Sequence, residues 1–108
     1  MVSPAIVNRV QSYLLRLTES GLSVSFGVVF GSYAIGTANL DSDIDVMVVS
    51  PQFDNKIDSQ WINQFWRIAA RTDSRIEPIP CGKEQWQHDT ASAIIEIART
   101  EGQQIGVS

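Results

Sequence analysis

The sequence predicts an α/β domain, a small β-sheet packed by helices, in one unit spanning residues 1–108. Two observations carry that expectation. Segments with apolar residues at helical spacing alternate with short runs of β-branched and aromatic residues, in the order helix, strand, turn, strand, helix, strand, helix. A chain of 108 residues, 44% hydrophobic and 19% charged, also has material for one hydrophobic core but not two, and is not the composition of a disordered tail.

The elements follow in order. Ser3-Pro4 starts a helix, with a capping hydroxyl ahead of a proline whose missing N–H costs nothing at the first helical position. Ile6, Val10, Tyr13, Leu14 and Leu17 continue it at helical spacing, and Gly21 closes it. The first strand is expected from Val24 to Phe30, ending at Gly31. Tyr33 to Gly36 is a helical turn, Thr37 to Ser42 a polar loop, and Ile44 to Val49 the second strand. A second amphipathic helix runs from Asp58 or Ser59 to Thr72, its stripe of Trp61, Phe65 and Ile68 widened by Ile62, Trp66 and Ala69 into a mostly buried face. Arg75 to Ile79 is a short strand, which Pro78 and Pro80 end or confine to an edge. A helical turn over Gly82 to Trp86 precedes a last helix after Asp89-Thr90, stopped by Gly102, and the tail 103–108 is expected to fray.

Bulk properties narrow the chemistry. A net charge of −4 argues against a domain that grips nucleic acid through a basic surface, so direct nucleic-acid binding is not expected. Cys81 has no cysteine partner, and Cys81 with His88 falls short of a zinc set. With neither a basic-then-apolar leader nor an apolar run near the ~18 residues of a membrane span, the expectation is a cytoplasmic protein with no membrane contact.

The stretch Gly31 to Val49 carries the chemistry. Asp43 and Asp45 sit two apart at the entry to a strand, so their side chains share a face, roughly 6–7 Å apart along the chain. Like charges that close raise each other's pKa unless a cation lies between them, and a divalent metal is the cation such a pair calls for. A P-loop fails here: Gly31 and Gly36 have its spacing, but Thr37 stands where the phosphate-binding lysine should be. An EF-hand loop fails as well, because Val46 replaces its glycine and Gln52 its bidentate glutamate. What remains is a strand, Gly31-Ser32, nine intervening residues, and Ser42-Asp43-Ile44-Asp45 entering a second strand.

Those residues, with Gly36, resemble the polymerase beta-like nucleotidyltransferase superfamily, and within it the minimal nucleotidyltransferase (MNT) antitoxin-type proteins. The resemblance implies an α+β nucleotidyltransferase domain with a short mixed sheet. It also implies that Gly31 and Ser32, with Ser42, bind nucleotide phosphates, and that Asp43 and Asp45 hold Mg²⁺. The third carboxylate, metal ligand or proton acceptor, would be Glu77, where members often carry aspartate. The implied reaction is transfer of AMP from ATP to a hydroxyl, a tyrosine, of a separately encoded HEPN-domain toxin, with which the chain would form a hetero-oligomer. Two alternatives stand beside it: a non-catalytic antitoxin that occludes its partner and keeps a relict nucleotide site, and a small-molecule nucleotidyltransferase.

Overall fold

The computed structural model describes residues 2–107. Helix α1 (Pro4–Glu19) leads into strand β1 (Phe26–Phe30), the short helix α2 (Ser32–Ile35) and strand β2 (Ile44–Ser50). A 3-10 turn (Pro51–Phe53), helix α3 (Ser59–Thr72), strand β3 (Ile76–Gly82), helices α4 (Lys83–His88) and α5 (Ala93–Glu101), and strand β4 (Gln103–Ile105) complete it. The sheet order is β3-β2-β1-β4, with β1 antiparallel to both its neighbours and β2 parallel to β3. The fold is therefore α+β with a mixed sheet.

Alternation along the strands sorts side chains into two layers. Ile44, Val46 and Val48 join Val10, Leu14 and Leu17 of α1 and Phe65, Ile68 and Ala69 of α3 on one face. Met47 and Val49 lie on the other face with Val28, Phe30 and Cys81, under Ile95 and Ala98 of α5. Burying each large aliphatic or aromatic side chain contributes about 1.5–3 kcal/mol, so the α1–α3 layer is the main source of stability. Tyr13 ties that layer together: its hydroxyl, buried within it, donates to the Phe65 carbonyl at 3.1 Å. The Ser3 cap forms as expected, accepting from the Ile6 amide at 3.4 Å.

Three expectations need correction. Strand β3 does not stop at its prolines but runs through Pro78 and Pro80 to Gly82. The Arg75 carbonyl faces β2, accepting from the Ile44 amide at 2.7 Å. Alternation then turns residues 76, 78 and 80 toward the open edge, where a missing N–H breaks no ladder bond. The tail is not frayed: Gln103–Ile105 pairs with β1 from Val29 to Gly27, and the Gln103 side chain accepts from the Val2 amide at 3.0 Å. Ser108 lies outside the described residues. Trp66 is half exposed rather than core, because the buried stripe of α3 runs through Phe65, Ile68 and Ala69 instead. Among the described residues, no helix is long and apolar enough to cross a membrane.

Candidate nucleotide and metal site

The end of β1 and the starts of β2 and β3 meet at one end of the sheet. Register places Asp45 between Phe30 on β1 and Glu77 on β3. Both carboxylates continue the rows of Met47, Val49, Ile79 and Cys81, on the face that α5 covers further along. Asp43 stands just before β2 and is exposed, whereas Asp45 and Glu77 are partly buried.

Gly31 is the turn that brings the backbone against this pair. Its φ of 72° and ψ of −150° fall in a region essentially reserved for glycine. A Cβ added there would collide with Asp45 Oδ2. Glycine thus serves two needs at one position, the backbone angle and the close approach to the carboxylate. The Gly31 carbonyl accepts from the Ala34 and Ile35 amides at 3.0 and 3.2 Å, which starts α2, with Ser32 as its first residue.

The electrostatics match the crowding. Burial raises the Asp45 pKa first, the charge on Asp43 adds to it, and a hydrogen bond from Glu77 partly offsets the rise. Burial also raises Glu77, reinforced by the charges of Asp43 and Asp45. Among the described residues no three such side chains converge into a ready-made metal cage. The fit of a metal rests instead on the donor set: three hard carboxylates whose mutual repulsion a divalent cation would relieve. These residues fit a divalent cation.

Ser42 is placed differently from Ser32. Its hydroxyl accepts from the Asn39 amide at 3.0 Å, and its own amide donates to the Asn39 carbonyl at 3.1 Å, closing the loop that delivers Asp43.

The nucleotidyltransferase domain family's sequence pattern matches residues 12–99, most of the chain. This chain belongs to that family. Solved nucleotidyltransferase folds agree with the architecture. A toxin–antitoxin complex crystallised with AMP-PNP is 22% identical, covering 87% of this chain and 70% of its own, at a TM-score of 0.59. A candidate nucleotidyltransferase from Sulfolobus solfataricus is 13% identical, covering 91% and 77%, at a TM-score of 0.61. A mutant of the toxin–antitoxin pair MntA-HpeT is 20% identical, covering 87% and 70%, at a TM-score of 0.58. No curated protein sequence matches significantly.

Within this nucleotidyltransferase domain, three further residues support the site, and sequence reading did not find them. Arg75 donates to Asp73 through Nε and Nη2, at 3.0 and 2.7 Å, and through Nη1 to the Tyr33 hydroxyl at 3.0 Å. Tyr33 in turn donates to the Asn39 carbonyl at 3.0 Å. The chain Asp73–Arg75–Tyr33–Asn39 ties the entry to β3 to the loop before Asp43, so it sets the spacing between Glu77 and the aspartates. Arg75, which the sequence places only at the start of a strand, is a strut. The Asp-x-Arg spacing was visible in the sequence; its link to Tyr33, 42 residues away, was not.

This strut gives stability a pH signature. The hydrogen bonds from Arg75 hold Asp73 below the usual carboxylate range. A carboxylate lowered by folding contributes stability above its unfolded value near 4, and that contribution is lost as pH falls through the lower folded value. Asp73→Asn should therefore lower stability at pH 7 by on the order of 1 kcal/mol, discounted for the solvent around Arg75. The gap to wild type should close on acidification below about pH 4. Urea melts of the two proteins across pH check this.

Proposed function

We propose that this chain is a Mg²⁺-dependent nucleotidyltransferase that transfers AMP from ATP to a tyrosine hydroxyl of a partner HEPN toxin, and so acts as its antitoxin. The observation that carries the reading is the approach of Gly31 to the Asp45–Glu77 pair, with Asp43 beside it. Family membership supports transferase chemistry in general. The folds shared with toxin–antitoxin complexes, one with an ATP analogue, support the choice of nucleotide and partner.

In this reading Asp43, Asp45 and Glu77 hold Mg²⁺, which when bound offsets the charge of the phosphate oxygens and of the leaving pyrophosphate. Gly31 lets the backbone close on the triphosphate, and the Ser32 amide and hydroxyl donate to its oxygens. Ser42 closes the loop that delivers Asp43 through its hydrogen bonds with Asn39. The acceptor oxygen forms a bond to the α-phosphorus, the bond from that phosphorus to pyrophosphate breaks, and the acceptor proton leaves to a base. Glu77 is the candidate base, its raised pKa bringing it nearer the working range.

Incubating the protein with α-labelled ATP, Mg²⁺ and the purified toxin should label the toxin. Absence of label on a folded toxin that binds this chain would sink the transferase reading. One observation favours the occlusion alternative: Glu77 is a methylene longer than the aspartate frequent in relatives, and misplacement near 1 Å costs on the order of 10²-fold in rate. Occlusion predicts that an Asp43→Asn/Asp45→Asn double variant still protects cells. The transferase reading predicts that this variant fails to protect while still binding toxin.

A further inference from the structure

The net charge of −4 conceals a sharp segregation. Helices α1 and α3 carry Arg9, Arg16, Arg67 and Arg71 against the single acid Glu19, a balance of +3 that leaves −7 on the rest of the chain. Both helices pack on the sheet face opposite Asp45 and Glu77. Arg16, Arg67 and Arg71 are exposed, and none forms an ion pair among the described residues. Their polar contacts are weak ones: Arg16 Nη1 to the Arg71 carbonyl at 3.5 Å, and Arg67 Nη1 to Gln64 Oε1 at 3.3 Å.

These arginines border two adjoining cavities between α1 and α3. One, of about 420 Å³, is lined by Gln60, Trp61, Asn63, Gln64 and Arg67. The other, of about 240 Å³, shares Gln64 and adds Arg16, Ile68 and Arg71, with Glu19 as its one acid. Trp61 is half-buried against the core, so its ring is a fixed wall of the larger cavity rather than a mobile side chain. The larger cavity thus combines an aromatic wall with three amide side chains, each offering both donors and acceptors. The arginines continue from there into the smaller cavity.

We propose that this groove binds single-stranded nucleic acid, with a base in the Trp61 cavity and successive phosphates along Arg67, Arg71 and Arg16. An acidic peptide would satisfy the arginines with its carboxylates, but Asp and Glu side chains bring no ring to stack on the Trp61 wall. A base edge supplies donors and acceptors together, and its ring stacks on an aromatic wall. The acidic remainder of the molecule confines contact to this one face, so the expected footprint is short, about three phosphates.

Fluorescence anisotropy of labelled ten-nucleotide RNA and DNA, in EDTA and low salt, tests this directly; EDTA removes any metal-dependent nucleotide binding on the opposite face. Saturable binding is expected for at least one of the two strands, with log affinity falling against log salt at a slope of about −2 for three phosphate contacts. The Arg16→Ala/Arg67→Ala/Arg71→Ala variant should lose at least about tenfold. A Lys56→Ala/Lys83→Ala variant, altered outside the groove, should bind as wild type. Trp61→Leu, with folding verified by circular dichroism, should also weaken binding, since stacking is worth a further factor of about five or more. Absence of saturable binding, equal losses in the arginine and lysine variants, or polyglutamate binding as tightly as the oligonucleotides would each overturn the proposal.

Discussion

Asp43→Asn and Asp45→Asn should each reduce nucleotide transfer by about 10³-fold or more, because a lost metal ligand removes several kcal/mol of charge stabilisation from the transition state. The same Asp45→Asn change should raise the melting temperature of the metal-free protein. Its sign follows from linkage. Folding raises the Asp45 pKa, chiefly through burial and then through Asp43. A carboxylate raised by folding opposes the native state once pH exceeds its unfolded value, increasingly so up to the folded one. Removing its charge relieves that opposition at neutral pH. Added Mg²⁺ should stabilise wild type by binding only the native state, and Asp45→Asn should lose that increment. Activity and metal-free stability thus move in opposite directions at one residue, a pattern that simple misfolding does not produce. Thermal melts with and without Mg²⁺, beside the transfer assay, measure both.

Gly31→Val should abolish nucleotide binding and destabilise the fold by about 1–3 kcal/mol. The backbone angles at Gly31 exclude a branched side chain, and its Cβ would strike Asp45 before reaching any other group. Gly36→Ala is the control. Gly36 also has a positive φ, 82°, but a Cβ there meets nothing within 4 Å. It should cost stability through the backbone alone, by about 1 kcal/mol, and leave nucleotide affinity nearly intact. Denaturant titration and calorimetric nucleotide binding separate the two variants.

Much of the fold was legible because its elements are locally consistent. The Ser3-Pro4 cap, the stripe from Val10 to Leu17 and the β-branched run of β2 each point to the structure they adopt. What was not legible depended on partners distant in sequence. Gln103–Ile105 is polar at two of its three positions and becomes a strand only because β1 has an open edge beside it. Pro78 and Pro80 read as strand breakers until the register shows their nitrogens facing away from β2. Trp66 fits the apolar stripe of α3 by spacing, but α1 covers only the Phe65 side.

The site divides in the same way. Gly31, Asp43 and Asp45 lie within one stretch, so a strand, turn and strand reading puts them near one another. Glu77 arrives from a separate strand, and the parallel β2–β3 register sets it directly opposite Asp45. Sequence order alone suggested that residue but could not fix its register. The Arg75–Tyr33 strut and the charge segregation of α1 and α3 depend on packing, which no local pattern encodes.

The most direct test of the central claim is amide-resolved NMR during titration with AMP-PNP, with and without Mg²⁺. The proposed site predicts saturable, Mg²⁺-dependent shifts centred on Gly31, Ser32, Asp43, Asp45 and Glu77, absent in Asp45→Asn. Shifts that ignore Mg²⁺, or that centre elsewhere on the fold, would contradict it.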